Sequence, residues 1–591
     1  MKKMIALLAA LMLICTAVPF ASLAEDMNGR TDSVEREYTE VDRDSAPITL
    51  NVYSQLANYQ GVAPGTTWGA TILLDKFNVR LNIIPDSDGT YETRMASGNL
   101  GDIIVWGANG ADYKNAVEKG MLLDWEEDDL GADYAPYLWT YYKGALEANR
   151  AVSGDDKIHG FGHSTAFTQG SHAAFFYTWD VRWDLYKQLG YPEVKDLDDL
   201  FDLMVAMKEI CPTDEKGNQT YATSIWPDWD GNMVMYVKSL GTAYYGYDEL
   251  GFGYYNPNNG QFVSCLEEDG PYLTCLKFFN RLYQNNLLDP NSMTQTYDVM
   301  AEKVKNGGTF WGIFNYSTSS VYNTSNHLSE GKMMYSLVPT EASPIVYGLG
   351  TNGGNRVWTV GNYSEYPELC LEIIDWLATP EGSMYMWYGP QGVTWDYDEN
   401  GAAYFTELGE QTNKDSTYSM DGVQWTSPWT GKTYTFTGTY NDGNVQINNT
   451  TLAQDMINPD GNGLETFNKL SWASVITSNS NPIEEDWRNH MGFASADQYM
   501  NAGKYTVMPE VNYSESAKDG SLKLAWDQVA KTIVDCSWRA IYAANDAAFD
   551  AVVREMNARV KQYGWNKCVE WCEQECLAKW TLSQEAAALA N

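Results

Sequence analysis

The sequence is short of basic residues, and this shortage excludes whole classes of function. It contains 39 Lys and Arg against 78 Asp and Glu, which gives a formal net charge of -39 at pH 7. Nucleic-acid binding needs a basic surface, so that function is excluded. Binding to an anionic membrane surface is disfavoured for the same reason. A charge of this sign is ordinary for a solvated exported protein.

Histidine, cysteine and the common catalytic motifs are scarce as well. None of the five histidines is spaced as a metal site, and the nine cysteines are too dispersed for a dense disulfide framework. The nucleophile elbow G-x-S-x-G, the zinc motif H-E-x-x-H and the P-loop lysine motif are absent. Residues 348–353 match G-x-G-x-x-G, but the residues after them predict a strand where a dinucleotide site requires a helix. The sequence therefore carries no signature of these chemistries.

Long apolar runs are missing beyond residue 24, so no further segment is predicted to span a membrane. Residues 1–24 look like a signal peptide with a basic start, an apolar stretch and the small-x-small site Ser22-Leu23-Ala24. We predict cleavage after Ala24 and an exported protein, extracellular or associated with the cell envelope. Lipid attachment at Cys15 is the alternative. Residues 25–46 are polar and are predicted to form a disordered leader.

The residues that follow alternate between short apolar runs and amphipathic stretches, which predicts an α/β fold. Strands are expected at 48–53, 79–84 and 102–105, with helices between them, as in an open parallel sheet. Trp106 ends the third strand, at the carboxyl edge where such sheets bind ligands. Its ring is either a platform for a sugar or is packed under its own loop.

Polar residues surround this predicted edge. Gln55 and Asn58 follow the first strand, and Asn109 lies among small residues after Trp106. Asp112 is predicted to cap the next helix. We expect Gln55, Asn58 and Asn109 to join Trp106 in a ligand site.

The densest cluster of polar and aromatic residues lies at 223–230, TSIWPDWD. Pro227 makes regular structure improbable there and favours a loop at the end of a strand. Trp226, Asp228 and Trp229 fit sugar recognition, since carboxylates accept hydrogen bonds from hydroxyls and rings cover C–H faces. The alternative is a buried aromatic turn.

Several motifs together resemble the extracellular solute-binding protein family 1, the maltose-binding type that serves ATP-binding-cassette (ABC) sugar importers. The matching segments are DIIVW at 102–106, KIHGF at 157–161, Trp183-Asp184 with Leu189-Gly190-Tyr191-Pro192, the run at 366–395, and the helical residues of 513–579. The resemblance implies a two-lobed periplasmic-binding-protein-like fold of type II, each lobe an open sheet flanked by helices, with a crossover hinge. Where the maltose-binding type has acidic and basic residues, this chain has Asn109 and Gly110, which puts maltose itself in doubt.

The same resemblance implies how the chain is divided and what it binds. Lobe 1 is expected at 47–160 and 341–392, and lobe 2 at 161–340 and 393–591, including an insertion at 408–512. Trp311 and Trp395 join the predicted ligand-binding residues, although Trp311 fits a core position equally well. The implied ligand is an oligosaccharide, neutral because the proposed site contains no Arg or Lys. The implied partner is the membrane permease of an ABC importer, and we expect a monomer without a cofactor.

Residues 396–407, DYDENGAAYFTE, fit the calcium-loop pattern D-x-D-x-N-G-x₅-E. Asp396, Asp398, Asn400 and Glu407 would be the calcium ligands. No convincing helix is predicted on either side, and Asn400-Gly401 between two β-rich runs is also an ordinary hairpin turn. The hairpin is the favoured interpretation, and the calcium site is the alternative.

Two other classes of function remain open. A secreted glycoside hydrolase would need two carboxylates across the scissile bond, and Asp228 and Asp230 are an available pair. A surface adhesion module would be expected to show repeats or an anchor, and neither is seen. We predict a binding protein rather than an enzyme.

Overall fold

The computed structural model describes residues 45–57, 59–87, 89–162, 164–167, 170–353, 356–444, 453–478, 481–511, 513 and 515–590. The predicted signal peptide and almost all of the predicted leader lie outside these residues.

Within the described residues the strands are β1 Ile48–Ser54, β2 Gly61–Val62, β3 Val79–Pro85, β4 Ile103–Trp106, β5 Gly160–Gly162, β6 Tyr177–Arg182, β7 Asp248–Leu250, β8 Gly253–Tyr255, β9 Phe262–Ser264, β10 Trp311–Phe314, β11 Met334–Ser336, β12 Ile345–Tyr347, β13 Val357–Val360, β14 Trp395–Tyr397, β15 Ala403–Phe405, β16 Gln424–Thr426, β17 Thr433–Thr435 and β18 Thr506–Met508.

The α-helices of the same residues are α1 Trp68–Phe77, α2 Thr90–Ser97, α3 Ala111–Glu118, α4 Leu130–Tyr134, α5 Pro136–Tyr141, α6 Lys143–Ser153, α7 Trp183–Gln188, α8 Leu197–Ile210, α9 Met235–Tyr245, α10 Pro271–Gln284, α11 Tyr297–Lys305, α12 Ser319–Tyr322, α13 Ser325–Ser329, α14 Pro367–Leu377, α15 Pro380–Tyr388, α16 Glu407–Lys414, α17 Tyr440–Gly443, α18 Ala473–Thr477, α19 Pro482–Met491, α20 Ala496–Asn501, α21 Gly520–Ile541, α22 Asp546–Gln562 and α23 Trp565–Ala590.

The chain forms two compact units. Unit 1 takes the chain to Ser171, resumes from Leu349 to Val475 and includes the end of the chain from Leu589, while unit 2 contains His172–Gly348 and Ile476–Ala588. Two α/β units were predicted, and this part of the prediction is confirmed. The predicted boundaries need correction, because residues 393–475 were assigned to the second lobe and belong to unit 1.

Unit 1 is built on a six-stranded sheet in the order β2-β3-β1-β4-β13-β5. The central strands β3, β1 and β4 run parallel, as the alternation of strands and helices predicts. β13 runs antiparallel to both β4 and β5. All four residues of β4 are buried, which explains why this strand is a continuous apolar run.

A buried carboxylate ties the later part of unit 1 to its first helix. Asp75 in α1 is 1% exposed and accepts hydrogen bonds from the hydroxyls of Ser427, Thr430 and Tyr434, at 2.5, 2.7 and 2.7 Å. Satisfied in this way, the carboxylate can remain in the core. The β16–β17 hairpin is therefore an integral layer of unit 1, and its predicted place as a decoration of lobe 2 is wrong.

Unit 2 contains a three-stranded antiparallel sheet in the order β10-β6-β11. An irregular segment extends it, since Tyr221 bridges Thr309 and Thr223 bridges Leu288, both in parallel. Asp196 caps α8 through hydrogen bonds from the backbone of residues 198 and 199, as its position before an amphipathic run predicts. The predicted helical character of 513–579 is confirmed by α21, α22 and α23.

Candidate functional site

Aromatic residues from three separate segments meet at one edge of the unit 2 sheet. β10 ends at Phe314, directly opposite Tyr177, the first residue of β6. Phe176 precedes β6, Tyr316 follows β10, and the loop of Trp229 follows the segment that runs parallel to the residues before β10. Because these chain ends meet at the same edge, their side chains form one surface.

We call this the unit 2 aromatic surface and define it by Phe176, Trp229, Tyr297 and Tyr316. Phe176 is 44% exposed and Trp229 is 50% exposed, while the two tyrosines are half-buried. The ring of Tyr316 lies at the centre, with centroids 6.0 Å from Trp229, 6.3 Å from Tyr297 and 6.0 Å from Phe176. Exposed aromatic rings grouped in this way are uncommon on a surface without a binding role.

The aromatic surface is held by hydrogen bonds as well as by ring contacts. The indole of Trp229 stacks on Tyr297 at a centroid distance of 5.2 Å, with 24° between the planes. The hydroxyl of Tyr297 donates to the carbonyl of Tyr316 at 2.9 Å, so the exposed rings are fixed relative to each other. Burial raises the pKa of the Tyr297 and Tyr316 hydroxyls, which keeps both rings neutral at physiological pH.

Two carboxylates flank Trp229 and have different roles. Asp228 is exposed and accepts from the backbone N–H of Tyr297 at 3.1 Å, at the start of α11. Asp230 accepts from the backbone of Met235 with one oxygen and from the indole N–H of Trp538 with the other, both at 2.7 Å. Burial raises the pKa of Asp230. Asp230 is therefore engaged in holding the loop, and Asp228 is the carboxylate next to the aromatic surface.

Two residues of unit 2 that were predicted to bind the ligand are buried instead. Trp226 is 1% exposed and packs edge-on against Trp229 and Tyr236, so it supports the surface from below. Trp311 is also 1% exposed, in the middle of the core with Trp179 and Phe278 around its ring. The alternation of β10 had permitted either face for Trp311, and the core position is the observed one.

Trp106 requires the same correction in unit 1. Its side chain is fully buried, its indole N–H donates to Thr359 at 2.9 Å, and the rings of Tyr53, Tyr91 and Tyr113 meet it edge-on. No face of this indole is left for a sugar. Trp106 is therefore a core residue of unit 1, the alternative that the sequence had left open.

Polar groups do collect at the carboxyl edge of β1 and β4. Gln55 accepts from the backbone of Gly107 at 2.9 Å and donates to the carboxylate of Asp112 at 3.2 Å. Asp112 lies in the first turn of α3, while the capping position is Gly110, so the predicted cap is wrong. Asn109 is partly exposed on the loop between them. The binding roles of Gln55 and Asn109 stay predictions.

The two remaining predicted residues of the first and last segments are Asn58 and Trp395. Asn58 lies outside the described residues. Trp395 is 1% exposed, and its indole N–H donates to the carbonyl of Gly389 at 2.8 Å. It packs edge-on against Tyr385 and Tyr397 inside unit 1, so its predicted contact with a ligand is wrong.

Three of the four aromatic-surface residues were missed by sequence reasoning. Tyr297 and Tyr316 look like ordinary residues of a helix start and a loop, and Phe176 precedes a strand. Tyr316 carried one usable signal, since it is an aromatic residue directly beyond the carboxyl end of a predicted strand. Only the pairing of β6 with β10 brings Phe176 to the same place.

The calcium-like segment forms a hairpin. β14 and β15 pair antiparallel, and Asp398 accepts from the backbone of Asn400 and Ala402 at 2.8 and 2.9 Å across the turn. Asp396 accepts from Gln391, and Glu407 starts α16. Among the described residues, no group of three or more His, Cys, Asp or Glu is arranged to hold a metal ion. The favoured hairpin is thus observed, and calcium binding remains an untested alternative.

Unit 1 also contains a cavity of about 350 Å³ between α1, β3 and residues 437–444. Its walls include Leu73, Leu81, Ile83 and Arg80, and none of the predicted binding residues that the structure describes is among them. Across the part of the chain that the structure describes, no helix is both long enough and apolar enough to cross a membrane.

Comparisons with known proteins yield remote similarities. No family model matches the chain. Lipoprotein LipO of Bacillus subtilis (strain 168) is 25% identical over 218 residues, which cover 36% of this chain and 39% of that protein. The matched stretch thus spans about two fifths of the curated relative.

Solved structures match over nearly the whole chain. An HMO binding ABC-transporter associated solute binding protein from Bifidobacterium longum infantis is 12% identical, with a TM-score of 0.38, over 90% of this chain and 99% of that one. The N-glycan transport solute binding protein NgtS from Streptococcus pneumoniae is 15% identical, with a TM-score of 0.37 and the same shares. The alginate-binding protein AlgQ2 is 17% identical, with a TM-score of 0.33, over 91% of this chain and all of that one. Of these three proteins, the first two are named as solute binding proteins and the third as an alginate-binding protein.

Proposed function

We propose that this protein is an exported solute-binding protein that captures a neutral oligosaccharide and delivers it to an ABC importer. The observation that carries the proposal is the unit 2 aromatic surface, with Trp229 half exposed and stacked on Tyr297. Flat rings fixed at a sheet edge bind the C–H faces of sugar rings, and Asp228 beside them accepts hydrogen bonds from sugar hydroxyls.

The charges around this surface favour a ligand without acid groups. Recognition of a carboxylated sugar usually requires an unpaired bidentate cation, above all an arginine. Lys238, at the start of α9 after the Trp229 loop, forms an ion pair with Glu249 at 2.5 Å and has a largely buried side chain. Asp228 adds negative charge next to the rings. We therefore propose neutral oligosaccharides in preference to uronates.

We also propose that the protein binds the sugar without hydrolysing it. A glycoside hydrolase needs a carboxyl pair that is free to act on the bond, one as acid and one as base or nucleophile. Asp230, the nearest partner of Asp228 in sequence, has both oxygens occupied by donors of the protein itself. This engagement supports a binding protein over a hydrolase.

Titration calorimetry against a panel of neutral oligosaccharides and matched uronates tests the proposal. We expect at least one neutral oligosaccharide to bind and Tyr297→Ala to weaken that binding. Tyr363→Ala is the control, since Tyr363 is 67% exposed in unit 1. Binding of a uronate without binding of its neutral analogue would contradict the proposed ligand class.

A second assay separates binding from catalysis. The protein is incubated with each bound sugar, and new reducing ends are measured. Release of reducing ends by the wild type that disappears in Asp228→Asn would identify the protein as a hydrolase and contradict the proposal.

The proposed export is tested separately. Mass spectrometry of the secreted protein is expected to find an N-terminus at Glu25, as cleavage after Ala24 requires. A lipid-modified Cys15 would contradict that site.

A further inference from the structure

A buried polar network lies directly behind the unit 2 aromatic surface. Its centre is Asp289, which is 1% exposed and accepts from the hydroxyl of Ser224 at 2.6 Å. The ammonium group of Lys303 donates to Asp289 and, at 2.7 Å, to the side-chain oxygen of Gln295. The amide nitrogen of Gln295 donates back to Ser224 at 2.7 Å. The four side chains thus close a ring of hydrogen bonds around one buried charge.

The network joins the two segments that carry Trp229 and Tyr297. Gln295 donates to the carbonyl of Ile225 at 2.7 Å, and Ser292 accepts from the N–H of the same residue at 3.1 Å. The backbone that enters the Trp229 loop is therefore held by residues 289–295. These residues lead straight into α11, which begins with Tyr297 and ends with the turn of Lys303.

The same two segments meet again on the exposed side. There Asp228 accepts from the N–H of Tyr297, and the indole of Trp229 stacks on the Tyr297 ring. The Trp229 loop is thus attached at Ile225 to residues just before α11, and at Asp228 and Trp229 to the first residue of α11. The attachment at the surface consists of one backbone hydrogen bond and one ring stack, whereas the attachment behind it contains the buried charge.

The ion pair of Lys303 and Asp289 stabilises the inner attachment electrostatically. A carboxylate that is 1% exposed is stable as a charge only while its cation and its hydroxyl donor stay in place. Loss of the Lys303 charge leaves Asp289 with Ser224 and a backbone N–H as donors, so the hydrogen bonds around this carboxylate have to rearrange. Because Gln295 belongs to the same ring and donates to the carbonyl of Ile225, the rearrangement reaches the backbone that enters the Trp229 loop.

We propose that Lys303 and Asp289 are positioning residues for the aromatic surface. They fix the stack of Trp229 on Tyr297 before any ligand arrives, which lowers the conformational entropy lost on binding. The functional part of this inference rests on the proposed function, because it assigns the stack to a sugar. The structural part, that the pair of Lys303 and the buried Asp289 sets the geometry of the stack, does not depend on the ligand.

The structural part is tested by fluorine NMR of the full chain labelled with 5-fluorotryptophan. Trp229→Phe identifies the Trp229 resonance. Lys303→Met is expected to shift or broaden that resonance, and Lys303→Arg to restore it, because arginine keeps the charge. Lys305→Met is the matched control, with the same change at an exposed lysine on the same helix. A folded Lys303→Met variant with an unchanged Trp229 resonance overturns the inference.

The functional part is tested by a double-mutant cycle on affinity for the oligosaccharide found in the panel. Lys303→Met is expected to weaken binding about tenfold, a coupling within the range found for residues of one network. In a Trp229→Ala background the same substitution should have almost no further effect, since the stack on which it acts is gone. An equal loss in both backgrounds would show that Lys303 supports the fold of unit 2 and does not position the stack.

Ser224→Ala provides a second route if Lys303→Met fails to fold. It removes one donor to Asp289 and leaves the ion pair intact, so it is expected to move the Trp229 resonance less than Lys303→Met. An unmoved resonance in folded Ser224→Ala overturns the inference. If no panel sugar binds the wild type, the proposed function fails, while the resonance of Trp229 still decides whether the pair of Lys303 and Asp289 positions the stack.

Discussion

The indole of Trp229 lies on the phenol ring of Tyr297, with ring centroids 5.2 Å apart. Half of the tryptophan is exposed, and the tyrosine is fixed by its hydrogen bond to the carbonyl of Tyr316. One ring is therefore presented to solvent on a rigid aromatic base. This arrangement distinguishes Trp229 from the predicted tryptophans that the structure buries.

Trp229→Ala should weaken oligosaccharide binding by about 2 kcal/mol or more, as expected for an aromatic anchor. The free energy of unfolding should change little, because the side chain is already 50% exposed. Calorimetry and chemical denaturation on the same variant measure both quantities, with Tyr363→Ala as the exposed control. A variant that binds with wild-type affinity would remove Trp229 from the site.

Trp106→Ala should show the opposite behaviour. The ring is fully buried and hydrogen-bonded to Thr359, so its truncation should cost about 3–5 kcal/mol of stability. Trp106→Phe keeps most of the packing and should cost less. Urea denaturation provides the measurement. A stable Trp106→Ala variant with lost sugar binding would return this residue to the ligand site.

Removal of calcium should leave the melting temperature unchanged. Asp398 accepts two backbone hydrogen bonds across the β14–β15 turn, and these bonds lower its pKa. Asp398→Ala should therefore lower the melting temperature equally with calcium and with chelator, because the turn is lost in both. A drop of several degrees on chelation of the wild type, absent in the variant, would establish the calcium site instead.

Glu381 should stabilise unit 1 at neutral pH, and this contribution should be lost in acid. Burial alone would raise the pKa of this carboxyl, but Lys76 at 3.2 Å and the indole N–H groups of Trp376 and Trp429 outweigh burial and lower it below 4.5. A lowered folded-state pKa means that the contribution of Glu381 is present above about pH 4.5 and disappears as the pH falls through the folded-state value.

Glu381→Gln should accordingly be less stable than the wild type at pH 7, and the difference should shrink as the pH is lowered below 4.5. Denaturation curves are recorded from about pH 3 to about pH 7, a span that includes the pH values at which carboxyl groups titrate. Glu118→Gln, at an exposed position of unit 1, is the control. A difference that stays constant with pH would show that the charge of Glu381 contributes nothing.

Local patterns predicted the elements of this fold well. The apolar run of β4 and the amphipathic run that Asp196 caps are each recognisable from a few neighbouring residues, and these residues are enough to predict the strand and the helix. The place of residues 393–475 could not be predicted in that way. It depends on contacts between distant parts of the chain, among them those of Asp75, whose partners lie more than 350 positions away.

The candidate site was predictable only in part, for the same reason. The sequence identified the loop of Trp229 by its unusual composition, but it could not tell which of its tryptophans is exposed. Trp226 and Trp229 are separated by two residues and have opposite environments, because the loop turns between them. Tyr297 and Phe176 reach the site through strand pairing and helix placement, which no local pattern records.

The hydrogen bonds of Asp75 also set an order of events during synthesis. Its three hydroxyl partners are translated after the whole first segment of unit 2, which runs from His172 to Gly348. At about 5–20 residues per second, a delay of some tens of seconds separates the carboxylate from its partners. Until those residues are made, the Asp75 carboxylate lacks all three hydroxyl donors that the folded structure gives it. A buried charge in the first helix of unit 1 is therefore satisfied only by residues made after the whole first segment of unit 2.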